Sequence, residues 1–238
     1  MRTAYTVFRN LYNVRKMTMK LVLASGSQRR RELLTMCGYD YEIIVSNADE
    51  TIDENDPESF VRALSFRKAK DVFDRLFAAG RRDFAVIGSD TVVAFQKEGE
   101  AKPVIIGKPK DAEDAVRILS MLSGKTHRVF TGVSVIADIP DENAAAQCSI
   151  QEKAEIQTEC SITEVTFETL SPNEITDYVN SGDPLDKAGS YGIQGPFGMF
   201  VREIRGNYFT VIGMPIPVLY KMLKKIGILP HGFYERIE

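Results

Sequence analysis

Apolar and polar positions along this 238-residue chain alternate between a helical and a strand period, and the succession of the two predicts an α/β fold. Residues 20–24 are an apolar run of strand length, and residues 32–38 carry the first helical pattern after a short polar turn. Residues 41–45 read as a strand. A long amphipathic helix is predicted over 57–77, with Phe60, Val61, Leu64, Val72, Phe73 and Leu76 on one face. Residues 84–88 form the next buried strand, ended by Gly88. Asp111 caps a helix whose apolar stripe is Ala112, Ala115, Val116, Leu119 and Leu122. Residues 129–137 are a strand, and residues 156–170 alternate like another, most clearly from 163 to 167. The polar stretch between them, about 138–155, is longer than the connection needs and reads as an exposed insertion. Ser171 and Glu174 frame a capping box with Pro172 at the first helical position, followed by Ile175, Tyr178 and Val179. Pro217 starts a last amphipathic helix that Gly227 ends. Phe130, Phe167, Phe200 and Phe209 fall at alternating strand positions and are assigned to the core.

Composition narrows the classes open to such a chain. With 44% hydrophobic residues it can bury one good core, expected over 20–230, behind a basic extension at 1–19. No apolar run approaches 18 residues, so no membrane span is expected. The formal charge is −3, and because Arg2, Arg9, Arg15 and Lys16 stand in an acid-free extension, the rest carries −7. A mildly acidic body argues against general nucleic-acid binding, which needs a broad basic face. The positive charges that matter are therefore expected in a cleft. The extension lacks the apolar stretch of a secretory signal and has the composition of a weak transit segment. It is read as disordered with a cytoplasmic protein behind it, a mitochondrial address being the alternative, and Met17 or Met19 offer other starts.

Cys37, Cys148 and Cys160 are odd in number and lack metal-ligand spacing, which points to a reducing compartment. With His127 and His231 the only histidines, neither a thiol–imidazole pair nor a zinc site is expected, and His127 is read as a hydrogen-bonded structural residue. Any metal must be held by oxygen.

The chemistry-bearing residues sit at punctuation between apolar runs. Ser25, Gly26, Ser27, Gln28, Arg29 and Arg30 lie between the first strand and the first helix. Exposed backbone amides at a helix start, small hydroxylated residues and two guanidinium forks are the parts of a polyanion site. An ordinary strand–turn–helix with a Ser cap and surface arginines fits the same residues. Gly88, Ser89, Asp90 and Thr91 separate two apolar runs, which places Asp90 at a strand end or in a tight bend. Gly107, Lys108 and Pro109 end another run. The segment from Asp186 to Gly195 is a glycine-punctuated loop combining a carboxylate, an ammonium, an aromatic ring and an amide.

In this order these motifs resemble the Maf family of nucleoside triphosphate pyrophosphatases, from about Lys20 to about Gly227. The family's S-x-S-P-R-R is matched by Ser25, Ser27, Arg29 and Arg30, with Gln28 standing where Pro is usual. Asp49 and Glu50 resemble its acidic pair, and Lys68 and Ala69 its Lys-Ala step. Its G-x-D-T, G-K-P, L-S-G-x-T-H and D-K-A-G-x-Y-G-I-Q-G signatures correspond to Gly88 through Thr91, Gly107 through Pro109, Leu122 through His127, and Asp186 through Gly195.

The resemblance implies a mixed twisted β-sheet flanked by helices, of the Maf and ITPase-like kind, with two lobes around a central nucleotide-binding cleft. It also implies cleavage of nucleoside triphosphates to the monophosphate and pyrophosphate, with a divalent cation, Mg²⁺ or Mn²⁺, as cofactor. Asp90 is then the proton acceptor, and Glu50 and Asp90 are the metal ligands. Ser25, Ser27, Arg29, Arg30, Lys68, Thr91, Lys108, Lys187 and Gln194 bind substrate, Lys187 facing phosphate or pairing with Asp186. The D-K-A-G-x-Y-G-I-Q-G form resembles the branch acting on dTTP, UTP and modified uridine triphosphates, whose specificity positions carry over to Arg29, Thr91 and Gln194. An amide at Gln194 both donates and accepts, as the edge of uracil or thymine demands. The implied role is to clear nucleotides that should not enter nucleic acid. Family members commonly dimerise. The alternative is a nucleotide-binding regulator of cell division without turnover.

Overall fold

A computed structural model describes residues 19–100, 102–139 and 154–231. Among the described residues seven strands form one mixed sheet: β1 (Lys20–Leu23), β2 (Tyr41–Ile43), β3 (Phe84–Phe95), β4 (Val104–Ile106), β5 (Thr126–Asp138), β6 (Ala154–Phe167) and β7 (Val201–Arg205). Their order is β2-β1-β3-β5-β6-β7, with β4 also pairing β3. β1 runs parallel to β2 and β3, and every other pairing is antiparallel.

Helices cover both faces. One face carries α2 (Pro57–Ala78), capped by the Asp56 carboxylate on the Ser59 amide and opened by Pro57. Val61, Leu64, Val72 and Phe73 are buried, and Phe60 and Leu76 are partly so, as the 57–77 pattern requires. The other face carries α1 (Gln28–Met36), α5 (Tyr208–Ile212) and α6 (Ile216–Lys225) over one half, and α3 (Ala112–Leu122) and α4 (Pro172–Asn180) over the other. Along β3 the side chains divide by parity. Phe84, Val86, Val92 and Ala94 pack in the clusters under α2, whereas Ala85 and Ile87 meet the α1 and α6 side and Val93 and Phe95 the α3 and α4 side. Both faces of this central strand are therefore buried, which is why it reads as a continuous apolar run.

Asp90 stands in the middle of β3, not at a strand end or in a bend. Residues 88–92 stay paired to β5, with Asp90 opposite Gly132. Gly88 interrupts the apolar run for a packing reason: a Cβ there would lie 2.1 Å from the Ser65 carbonyl oxygen of α2. On the neighbouring strand β5, Gly132 meets the Val61 carbonyl at the same 2.1 Å. The two glycines let the helix backbone lie directly on the sheet.

Other expectations shift by smaller amounts. Phe130 and Phe167 are buried strand residues, but Phe200 ends the 3₁₀ turn Pro196–Phe200 and Phe209 lies in α5. Both are only partly buried, and at Phe209 the Asn207 Oδ1 cap on its amide at 2.8 Å turns the chain helical. The expected insertion is narrower, since Asp138 closes β5 with its Oδ2 on the Asp83 amide at 3.0 Å and β6 begins at Ala154. Residues 140–153, with Cys148, lie outside the described residues, as does the basic extension except Met19, which is buried in the core.

Candidate active site

On one edge of β3 the parallel neighbour β1 ends at Leu23 opposite Ile87, and the antiparallel neighbour β4 ends at Ile106 opposite Val93. Residues 88–92 face the opening between those two strands. A reversal of strand direction of this kind leaves a crevice where ligands are received in open α/β sheets. Asp90 points into it on the α2 side and Thr91, one residue on, points to the α1 side.

The α1 side is built by the turn after β1. Ala24 still bonds the Ile87 carbonyl at 2.8 Å, and Ser25 Oγ then accepts from the Ser27 amide at 3.2 Å, bending the chain into α1. Gln28, in the place of the usual Pro, donates to Glu32 Oε1 at 2.8 Å and so joins the first two turns of the helix. Arg30, two residues on, spreads its guanidinium over three acceptors: the Gly213 carbonyl at 2.8 Å, Ser25 Oγ at 3.1 Å and Thr91 Oγ1 at 3.4 Å. Gly213 ends α5 with φ of 110°, and a Cβ there would sit 3.1 Å from Thr91 Oγ1. Behind it Ser89 Oγ reaches the Gly132 and Gly213 carbonyls at 2.9 Å each, and Thr131 links Thr91 to the Thr210 carbonyl. Burial lowers the Arg30 pKa from the ordinary arginine value, and the Asp90 carboxylate opposes that shift.

On the α2 side Lys68 Nζ lies 2.8 Å from Asp90 Oδ1 and 3.0 Å from Glu50 Oε1. The Lys68 and Asp90 side chains are each 12% exposed, against 66% for Glu50. Glu50 is held by residues that the sequence reading missed. Arg67 Nη1 donates to the Asp49 and Thr51 carbonyls, both at 2.8 Å, and so grips the chain on either side of Glu50. Asp71, one turn further along α2, accepts from Ser46 Oγ at 3.0 Å and the Asn47 amide at 2.9 Å. Charged residues at 67 and 71 on a helix next to an acidic loop are the signal that would have found them.

The far wall comes from the glycine-punctuated loop. Gly189 bonds the Gly107 carbonyl at 3.0 Å, tying this loop to the turn that carries Lys108. Lys108 is exposed, and among the described residues no ion pair engages it. Lys187 lines the cleft and is paired locally: its ammonium lies 2.9 Å from Asp183 Oδ1 and 2.7 Å from Asp186 Oδ1. Asp186 also meets Arg29 at 3.2 Å across the cleft mouth. Burial raises the Asp186 pKa, but Lys187 and Arg29 outweigh it and leave the carboxyl below its usual range. Gln194 is exposed in a turn closed by the Gly195 amide on the Gly192 carbonyl at 3.1 Å.

These walls enclose a cleft of about 1610 Å³. All eleven residues singled out from the motifs line it: Ser25, Ser27, Arg29, Arg30, Glu50, Lys68, Asp90, Thr91, Lys108, Lys187 and Gln194. Phe60, Leu64, Val104, Val129 and Val211 add an apolar stretch. His127 is elsewhere, 2% exposed, with Nε2 3.1 Å from the Tyr191 hydroxyl. Burial pushes its pKa down to about 3, which suits a neutral structural imidazole.

The donor set suits a hard divalent cation only in part. Among the described residues no three His, Cys, Asp or Glu side chains cluster to enclose a metal. Glu50 and Asp90 nevertheless converge on one cationic atom, the Lys68 ammonium, which marks where a positive charge is stabilised. Two carboxylates, with water and ligand oxygens completing the shell, are the usual provision for Mg²⁺ at a phosphate site.

The model of the Maf-like protein family matches residues 20–226. A dTTP/UTP pyrophosphatase of Agathobacter rectalis is 39% identical over 217 residues, spanning 88% of this chain and 98% of the relative. One of Bacillus thuringiensis subsp. konkukian is 42% identical over 210 residues, 88% of this chain and 96% of the relative. Among solved structures, the Ham1 protein of Staphylococcus aureus superposes with a TM-score of 0.43 at 14% identity, over 87% of this chain and 99% of that one.

Proposed function

The chain belongs to the Maf-like protein family, and on that premise we propose that it hydrolyses dTTP, UTP and modified uridine triphosphates to the nucleoside monophosphate and pyrophosphate. Its role would be to remove non-standard pyrimidine nucleotides before they enter nucleic acid. The observation that carries the reading is the position of Asp90: a carboxylate in mid-strand, paired to β5 on one side and facing on the other a cleft that also holds Arg30, Lys68, Lys108 and Gln194.

The residues divide the work by chemistry. The Ser25 to Arg30 turn and Lys108 receive the phosphates, Arg30 arriving with its guanidinium already oriented by Gly213, Ser25 and Thr91. Lys68 occupies Asp90 Oδ1, and among the described residues no hydrogen bond engages Oδ2, which is left to accept the proton of the attacking water. The water oxygen bonds to phosphorus as the bond between the α-phosphate and its bridging oxygen breaks, and pyrophosphate departs with the pair of electrons. Lys68, placed between Asp90 and Glu50, offsets the charge of the two carboxylates beside a polyanion. A divalent cation held by Glu50 and Asp90 would supply charge neutralisation on the phosphate oxygens. Gln194, exposed at the opposite end, reads the base edge. Arg29 and Thr91 flank the phosphates as the other two specificity positions.

The test is product-resolved hydrolysis of a nucleoside triphosphate panel with Mg²⁺ or Mn²⁺. Pyrophosphate from dTTP and UTP that disappears in Asp90→Asn supports the assignment. Orthophosphate as the product, or no turnover by the wild type, removes it. A cytoplasmic site of action accords with Cys37 and Cys160 being free thiols among the described residues.

A further inference from the structure

We infer that Tyr178, which does not line the cleft, is a positioning residue that sets the base selectivity of Gln194; the inference rests on the reading of Gln194 given above. A terminal amide by itself is a poor discriminator between uracil and cytosine. It carries one acceptor and one donor group, and rotation by half a turn exchanges them. Uracil presents an acceptor where cytosine presents an amino donor. Holding the backbone does not stop that rotation, but it fixes the distance and angle at which the amide meets the base, whereas a slack backbone lets it adjust to either edge.

The structure shows what holds it. Tyr178 lies on α4, 6% exposed, with its ring 4.8 Å from that of Phe197. Its hydroxyl accepts from the Gly192 amide at 3.0 Å and donates to Asp183 Oδ2 at 2.5 Å. Gly192 opens the four-residue turn that carries Gln194. Asp183 is fixed in turn by Lys187, whose ammonium donates to both its Oδ1 and its backbone carbonyl. The fit at Gly192 is tight: a Cβ would come within 2.7 Å of Lys187 Cε and 3.1 Å of Asp183 Oδ2. The phenol thus links the helix to the turn, and it spends its one donor and one acceptor on the two sides of the joint. Lys187, assigned to substrate by its motif, serves this strut. Gln194 itself has no hydrogen-bond partner among the described residues and is free to engage a ligand.

The test compares kcat/KM for UTP and CTP in the wild type, Tyr178→Phe, Gln194→Ala and the double variant, with melting temperatures alongside. Phe keeps the ring packing and deletes only the hydroxyl. The expected result is a fall of at least tenfold in the UTP-to-CTP ratio in Tyr178→Phe, carried mainly by a higher KM for UTP. The double variant should fall no further than Gln194→Ala alone. Misplacing a recognition group by about an ångström is sufficient for losses of this order. A role confined to stability would lower both substrates together and leave the ratio intact. A ratio unchanged in Tyr178→Phe but collapsed in Gln194→Ala overturns the inference alone. A ratio unchanged in Gln194→Ala overturns the base-reading assignment and the inference with it. Should Tyr178→Phe fail to fold, Asp183→Asn, which removes the charge on the other side of the joint, takes its place in the comparison, and the same two ratios decide the outcome.

Discussion

The Lys68 ammonium lies 2.8 Å from Asp90 Oδ1, joining the middle of α2 to the middle of the central strand across 22 residues of sequence. The same nitrogen reaches Glu50 at 3.0 Å. Three charged groups therefore share one corner of the cleft, and two of them are largely withdrawn from water. Replacing Lys68 by Met keeps the side-chain length but leaves two carboxylates facing each other without compensation. Such a change should cost about 1.5–3 kcal/mol of stability, the range for hydrogen bonds to charged groups. Urea unfolding of Lys68→Met at neutral pH checks the figure. Added Mg²⁺ or Mn²⁺ should recover more stability in this variant than in the wild type, and equal recovery in both would argue against a cation position between Glu50 and Asp90.

Asp90→Asn preserves the shape and the acceptor toward Lys68 while removing the proton acceptor. Pyrophosphate release should fall by about 10²–10⁴-fold, the usual contribution of a positioned general base. Nucleotide binding should change far less, because the phosphate contacts at Ser25, Arg30 and Lys108 remain. Binding by calorimetry beside turnover separates the two effects.

Gly88 and Gly132 should each resist a methyl group. Because an added Cβ would lie 2.1 Å from an α2 carbonyl oxygen, Gly88→Ala must push the helix from the sheet. A loss of about 2–4 kcal/mol is expected, at the upper end of overpacking penalties. Gly107→Ala is the control, since nothing lies within 4 Å of its Cβ position and no strain is expected. Equal melting temperatures for the two variants would refute the packing account.

His127 makes stability depend on acid. Its folded pKa, near 3, lies below the ordinary histidine value of 6.5, so the unfolded chain binds the extra proton between these limits. The contribution is complete above pH 6.5 and shrinks as pH falls toward 3. Between pH 7 and pH 5 this one group should remove about 2 kcal/mol. His127→Gln offers the Tyr191 hydroxyl a neutral partner and should flatten that part of the pH profile, measured by denaturant unfolding at several pH values.

Much of the site could be read before any fold was known, because its residues mark local events. The capping box at Ser171 and Glu174, the Asp111 cap and the Pro-opened helix at 57 are each decided within four residues, and each forms as the pattern requires. The same holds for the turn at Ser25 and the loop ending in Gln194, where glycine and small polar side chains select the backbone conformation. A glycine has two uses, however, and periodicity does not tell them apart. Gly88 looked like the end of a strand, although its purpose is to admit the α2 backbone, and that helix lies some twenty residues earlier.

The sequence by itself determined the alternation of helices and strands, the members of the cleft and, through ordered motifs, the family. Only the tertiary structure decided the partnerships. Arg30 is oriented by a carbonyl 183 residues away, and Arg29 meets Asp186 across 157 residues. Lys187 pairs with Asp183 and Asp186, and Tyr178 reaches under the turn that carries Gln194. Propensity, capping and turn chemistry act over a few residues and leave their record in the local order of the chain. The partner of a charge is set by which strands lie side by side and which helix crosses them, and that arrangement exists only after the sheet has closed the distance between segments far apart in sequence.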